Sequence, residues 1–393
     1  EALTLQRETG VRVGRALTSL GLVTQDQLAN VLAVQYGLPF YDLSGMELDE
    51  QAIRSIPEEI ERVSGVLPLV IDDESVTLAV ADPVDPSGSR AVGEITGKRV
   101  DRVLVTEEDL EEGLQQVYRL EYLERSANDL LFRSPRDSAY RVLSHGQKVF
   151  FGIFLALSAI ALAIDYVLYL QVAVGGAIVF YTVFSAYRFF IIYRAMSYSL
   201  EIPVSPEEVA ALDDAALPVY TILVPMYREH DVFPILVKAM ARLDYPQAKL
   251  DVKLLLEEDD KETIEAARKA HLPPNFDVLV VPDGKPKGKP KACNYGLIHA
   301  QGEYAVIFDA EDIPDPDQLK KVIIAFRKAG ERYACVQAKL NYFNRDQNVL
   351  TRWFTTEYSM WFDLLLPGLD RSGAPVPLGG TSNHFRTKIL REL

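Results

Sequence analysis

Three charged clusters have the residue types and spacing for chemistry on a phosphorylated ligand. Glu257-Glu258-Asp259-Asp260 and Asp309-Ala310-Glu311-Asp312 each follow a short apolar run, and Gly284-Lys285-Pro286-Lys287-Gly288-Lys289-Pro290-Lys291 lies between them. Carboxylates are hard oxygen ligands suited to Mg2+ or Mn2+, which bind through one or two of them plus phosphate oxygens. Lysines and a helix starting near Lys291 suit a diphosphate. A diphosphate that leaves also needs positive charge as its bond breaks. Singly, each cluster has a plainer explanation: an acidic tetrad is commonly a solvated turn, and a Lys/Pro run a surface linker. Their order along one stretch of chain is harder to dismiss.

The elements between the clusters predict how they are positioned. Apolar runs at Val219–Val224, Val252–Leu256, Asp277–Val281 and Tyr304–Phe308 read as strands. Helical patterns at Phe233–Arg242, Lys261–Ala270 and Lys291–Ala300 separate them. This alternation predicts an α/β fold with a mostly parallel sheet covered on both faces. Ligands in such sheets sit beyond the carboxyl ends of the strands, which is where the clusters fall.

The chain has 393 residues, enough for two or three domains. Its net charge of −15 argues against a nucleic-acid partner, because neutralising phosphates takes a basic face. Two cysteines, Cys293 and Cys335, provide no disulfide framework and fit a reducing compartment. His145, His230, His271, His299 and His384 lack metal-ligand spacing, and His384 reads as a loop residue. The chain starts without Met and stops inside a helical-looking run, so we expect it to be part of a longer protein.

One apolar stretch, from about Lys148 to Met196, exceeds the roughly 20 residues of a single crossing and predicts two transmembrane helices. Asp165 and Gln171 interrupt it, and Gly175-Gly176 are placed just after the turn. Arg125, Arg133, Arg136, Arg141 and Lys148 precede it, Arg188 and Arg194 close it, and no Lys or Arg falls between Lys148 and Arg188. The positive-inside rule puts both soluble parts in the cytoplasm. The competing reading is a buried helical hairpin of a soluble protein.

From about Pro218 to Phe385 the chain resembles the GT-A core of family 2 glycosyltransferases, especially membrane polysaccharide synthases. The resemblance implies a nucleotide-sugar site built from Pro225, Tyr227, Glu229, Glu257, Glu258, Lys291, Asn294 and Asp309, with Lys291-Ala292-x-Asn294 at the diphosphate. Glu257-Glu258 stand where the family usually has paired Asp. The metal motif corresponds to Asp309-Ala310-Glu311, with Glu for the second Asp and Asp312 as a substitute ligand. Gly380, Thr381, Ser382, Asn383 and His384 match the segment lining the acceptor site. A Thr-Glu-Asp-type motif with the general base and a Gln-x-x-Arg-Trp motif are not found, so the base is expected beyond Leu393 and these residues are expected to bind nucleotide without transferring sugar.

Upstream, residues 1–122 alternate between helical and strand patterns. Val66–Val70 and Val76–Val80 read as strands around Asp72-Asp73-Glu74-Ser75, and Glu107–Tyr118 as a closing helix capped by Thr106. Residues Arg125–Gln147 and Ser197–Leu217 read as polar linkers. The N-terminal part resembles the N-terminal domain of type II secretion and pilus assembly ATPases. Some members bind cyclic di-GMP through a motif matched here by Arg12, Gly14, Gly21, Leu28, Leu32 and Gln35, while Tyr41–Ser64 match its second copy poorly. A secretion ATPase itself is excluded, because no Gly-x-x-x-x-Gly-Lys-[Ser/Thr] loop exists in the sequence.

The expected organisation is 1–122 as a sensor-like domain, 123–146 as linker, 147–196 as membrane hairpin, 197–216 as linker and 217–393 as transferase core. The expected function is an inner-membrane glycosyltransferase of a Gram-negative-type bacterium, using a UDP-sugar to extend an exported polysaccharide, with an export or outer-membrane partner. The rival is a non-catalytic membrane scaffold or receptor component, as in proteins resembling bacteriophage adsorption protein B.

Overall fold

The computed structural model describes residues 2–9, 13–46, 48–138, 140, 142–196, 201–270 and 272–392. Arg12 of the cyclic di-GMP motif and His271 lie outside the described residues. The chain divides into two compact units. The first comprises Glu1–Asn128, Leu212–Lys320 and Phe385–Glu392, and the second is built from Asp129–Ala211 and Lys321–His384.

After a first helix, Ala2–Thr9, the first unit continues with helices Val13–Ser19 and Gln25–Tyr36. Gly21 between them adopts φ 65°, a left-handed conformation that favours glycine, and Thr24 caps the second helix in a reciprocal pair with Gln27. The two expected strands are β1 (Val66–Ile71) and β2 (Ser75–Val80), paired antiparallel. Asp72 holds their turn by accepting from the Glu74 and Ser75 amides at 2.9 and 2.7 Å. A third strand, β3 (Arg99–Leu104), runs parallel to β2 and was not expected. Its sequence Arg-Val-Asp-Arg-Val-Leu carries too few apolar residues to announce a strand.

The closing helix is longer than its periodicity suggests. It spans Glu107–Arg133, starts where Thr106 Oγ1 accepts from the Asp109 amide, and runs through residues read as linker. The reason is burial. Leu110, Leu114, Val117, Tyr118 and Tyr122 pack in one core with Leu223, Leu255, Leu279, Val281, Ala292 and Tyr295 of the α/β part. Tertiary packing extends a helix whose own sequence turns polar.

The α/β part contains β4 (Tyr220–Met226), β5 (Leu250–Glu257), β6 (Phe276–Val281) and β7 (Tyr304–Ile307), with helices Phe233–Ala241, Lys261–Lys269 and Lys289–Ile298 between them. These are the expected elements within one to three residues at each end. β4 pairs in parallel with both β5 and β7, and β5 with β6. With β8 (Cys335–Gln337) and β9 (Asn383–Arg386), the strand order is β6-β5-β4-β7-β9-β8. The chain steps outward from β4 to β6, then returns to β7 on the other side. In open α/β sheets such a reversal is where the ligand crevice falls, here at the carboxyl ends of β4 and β7.

The second unit holds helices His145–Ile164 and Tyr166–Met196, 20 and 31 residues long. Both are long and apolar enough to cross a membrane, and their apolar stretches are exposed, which a hairpin buried in a soluble core would not be. The turn between them is Asp165, whose carboxylate accepts from the Val167 and Leu168 amides at 3.0 Å each. Gly175-Gly176 are helical, not post-turn. A helix-initiating Asp outweighs two glycines, which a long apolar helix tolerates. In the second linker, Pro206–Ala210 is helical and Asp214–Ala216 forms a 3-10 turn.

Candidate functional site

The first strand tip beside the crevice is β4, which runs into Tyr227, Arg228 and Glu229. Arg228 takes φ 59°, an uncommon conformation for a residue with a side chain, and its amide donates to Asp260 Oδ2 at 2.5 Å. The Tyr227 ring is half-exposed between two cations, with the Lys287 ammonium 4.8 Å and the Arg228 guanidinium 5.1 Å from its centroid. Pro225 lies within β4 itself. Burial first, then the neighbouring charges of Glu311 and Asp309, push the Glu229 carboxyl above its ordinary range. Glu229 therefore feels the acidic cluster after β7.

At the end of β5, Glu257 is buried and accepts from Lys291 Nζ at 2.9 Å. Lys291, also buried, donates further to the carbonyls of Pro282 and Gly284 at 2.8 and 3.5 Å. The other Glu257 oxygen, Oε1, is buried with no hydrogen-bond partner among the described residues. A carboxylate oxygen in that state is costly unless something donates to it. Glu258 accepts from Arg119 Nη2 at 2.9 and 2.7 Å and from the Asp283 amide at 3.0 Å. The amide first and the guanidinium second hold its carboxyl below the usual range. Asp259 pairs with Lys287 at 2.5 Å, and Asp260 caps the helix Lys261–Lys269.

After β7, Asp309 pairs with Lys289, and the Asp309 amide donates to Asp312 Oδ2 at 2.9 Å. Asp312 thus shapes the turn that carries Asp309, where the sequence suggested a substitute metal ligand. Among the described residues, no group of three or more His, Cys, Asp or Glu side chains is arranged to hold a metal ion. The donor chemistry that remains, two hard carboxylates in Asp309 and Glu311, suits a divalent ion completed by phosphate oxygens. Lys289 shows that Asp309 already attracts a cation.

The beginning of the helix Lys289–Ile298 thus meets two acidic strand tips, through Lys289 to Asp309 and through Lys291 to Glu257. Asn294, expected at the diphosphate, instead donates its amide to the Ser126 carbonyl at 3.0 Å. Its position six residues into the helix carries it away from the strand tips to the face covered by Glu107–Arg133. Arg119 was missed altogether. Nothing in the pattern around it distinguishes this arginine from other charged positions on a long helix.

The acceptor-like segment lies in the second unit. Gln337 orders it: Oε1 accepts from the Gly379 amide at 2.9 Å, and Nε2 donates to the Thr381 and Ser382 carbonyls at 3.1 and 3.2 Å. Gly380 is in this loop, Ser382 takes φ 55°, and Asn383 donates to the Gly379 carbonyl. His384 is not a loop residue. It is fully buried in β9, and burial pushes its pKa down to about 3, so it is neutral. Within the N-terminal motif, Leu28, Leu32 and Gln35 share one face of a helix by their spacing. Gly14 lets the preceding helix approach, since a Cβ there would lie 2.9 Å from Leu28 Cδ2.

The fold is an α/β sheet with charged strand tips, and comparison narrows the class. Residues 218–393 match the family model described as glycosyltransferase like family 2, and residues 36–121 match the MshEN domain. The C-terminal part of the chain is thus similar to family 2 glycosyltransferases and the N-terminal part to MshEN domains, with two helices able to span a membrane between the matched regions. It is 32% identical over 155 residues to glucomannan 4-beta-mannosyltransferase 1 of Oryza sativa subsp. japonica, covering 37% of this chain and 29% of that protein. It is 27% identical over 139 residues to bacteriophage adsorption protein B of Escherichia coli strain K12, covering 35% of this chain and 17% of that protein. A solved mannosyltransferase from Pyrobaculum calidifontis, in complex with GDP-Man and Mn2+, shares 24% identity over 53% of this chain and 55% of that one, with a TM-score of 0.39. The alignments thus span less than a third of either curated relative.

Proposed function

We propose that this chain is the membrane-anchored, donor-binding part of an inner-membrane glycosyltransferase that passes a sugar from a nucleotide diphosphate, UDP in our reading, to an exported polysaccharide. The observation that carries this reading is the convergence of acidic strand tips and two lysines at the crevice between β4 and β7. Pro225, Tyr227, Glu229, Glu257 and Glu258 would form the nucleoside side. There Tyr227 offers a ring face, and the unpartnered Glu257 oxygen offers an acceptor for a base or ribose donor. Lys289 would face the diphosphate, while Lys291, expected there from the sequence, is buried against Glu257 and the carbonyls of Pro282 and Gly284 and would brace the loop behind it. Asp309 and Glu311 would hold Mg2+ or Mn2+, which would supply charge neutralisation for the departing diphosphate.

In the reaction implied by the resemblance, an acceptor hydroxyl attacks the anomeric carbon. The bond to the diphosphate breaks, and the diphosphate leaves with the electron pair. The hydroxyl proton goes to a carboxylate base. No Thr-Glu-Asp-type motif is present to supply that base, so we propose that these residues bind the donor without turning it over. Gly380 to His384 would line the acceptor, with the loop backbone ordered by Gln337 rather than His384 making the contact. The division into 1–122, 123–146, 147–196, 197–216 and 217–393 stands as our proposed domain layout. Cyclic di-GMP binding through Gly14, Gly21, Leu28, Leu32, Gln35 and Arg12 would make the N-terminal domain a sensor.

Calorimetry of the intact chain in lipid nanodiscs with UDP and Mn2+ tests the reading, with Asp309→Ala as control. Binding that weakens at least tenfold in the variant supports it. Equal binding by both, or none by the parent, favours the scaffold reading.

A further inference from the structure

We propose that the helix Glu107–Arg133, which starts in the N-terminal domain and runs past its end, supplies positioning residues, Arg119 and Leu123, to the donor site of the glycosyltransferase domain. This rests on the reading that the crevice between β4 and β7 takes a nucleotide diphosphate. The helix Glu107–Arg133 starts within the N-terminal domain, yet its apolar face is buried in the same core as β4, β5 and β6. Above that core, its polar edge grips residues of the site.

Arg119 donates to both oxygens of Glu258 at 2.9 and 2.7 Å, and Glu258 Oε2 also accepts from the Asp283 amide at 3.0 Å. Four residues further along the helix, Leu123 is seated over Gly284. A Cβ at that glycine would lie 2.5 Å from Leu123 Cδ1, so only glycine permits this approach without displacing the leucine. One turn on, the Ser126 carbonyl accepts from Asn294 at 3.0 Å. The stretch Pro282-Asp283-Gly284 is therefore held from outside by Arg119 and Leu123. From inside, its carbonyls at 282 and 284 orient the buried Lys291 ammonium. The lysine-rich loop starts from this clamped point, and Lys287 and Lys289 follow within five residues.

A loop held in its binding geometry loses less conformational freedom when ligand arrives, so the clamp raises affinity without touching the ligand. Arg119 suits this role better than a purely structural one. Its side chain is 50% exposed and that of Glu258 29%, and ion pairs that open to water contribute little to global stability.

The test is UDP affinity of the intact chain in nanodiscs with Mn2+, alongside thermal unfolding and amide exchange at Asp283. Arg119→Ala should weaken UDP binding by about three- to fivefold, the scale of one solvent-exposed ion pair. It should speed exchange at Asp283 and leave the unfolding midpoint unchanged. Arg119→Lys should restore part of the affinity, Leu123→Ala should weaken it, and the exposed control Arg99→Ala should change nothing. If Arg119→Ala lowers the midpoint, the comparison of Arg119→Lys with Arg119→Gln decides, since only the charged variant should bind well. Parent binding with no loss in any Arg119 variant overturns this inference and leaves the nucleotide reading intact. A parent that binds neither UDP nor GDP overturns both.

Discussion

Two carboxyls, one fully buried and one partly buried, carry residue-level predictions that follow from their surroundings. Glu61 is fully buried, and burial raises its pKa to about 8; the Tyr118 hydroxyl offsets this only in part. Between pH 4.5 and about 8 the folded state holds a proton that the unfolded state has released, so stability falls as pH rises through that window. The slope approaches about 1.4 kcal/mol per pH unit. Glu61→Gln should flatten the decline in thermal midpoints measured across this range; an unchanged slope would show that Glu61 is ionised in the fold. Glu229 is raised in the same sense, by burial and then by Glu311 and Asp309. Glu229→Gln should therefore stabilise the protein at alkaline pH while weakening UDP binding, a trade that a merely structural glutamate would not show.

At the scale of elements, β4 to β7 were legible because strands buried on both faces read as unbroken apolar runs, such as Leu254-Leu255-Leu256. The acidic tips were legible for the same reason, since each run ends abruptly in charge. Two elements were not. The alternation in β3 is thin, and the helix beyond Tyr118 is dictated by a partner surface more than a hundred residues away in sequence, which no local periodicity encodes. Site residues contributed by that helix, Arg119 above all, were invisible for this reason. Close packing between elements supplies its own test at Gly302, where an added Cβ would lie 2.4 Å from the Thr221 backbone nitrogen and 2.6 Å from the Tyr304 carbonyl oxygen. Backbone cannot yield as a side-chain tip can. Gly302→Ala should thus cost about 1–3 kcal/mol of stability, seen as a lower unfolding midpoint. Gly14→Ala, which meets only the flexible end of Leu28, should cost less.

For the whole molecule, the account requires the transferase domain to face the compartment that holds activated sugars. The hairpin turns at Asp165, and basic residues cluster at its outer ends. A cysteine introduced at Asp165, with Cys293 and Cys335 replaced by Ser, should react with a membrane-impermeant thiol reagent from the periplasmic side of intact cells. A cysteine in place of the exposed Glu262 should react only after lysis, and the reverse pattern would contradict the topology. Under the proposed function, Asp309 and Glu311 hold a divalent ion jointly with a nucleotide diphosphate. Electron paramagnetic resonance of Mn2+ titrated into the intact nanodisc-embedded chain, with and without UDP, tests it most directly. Bound Mn2+ should increase at least tenfold when UDP is present, and that increase should vanish in Asp309→Ala. Mn2+ binding that ignores UDP, or survives loss of the Asp309 carboxylate, would contradict the account.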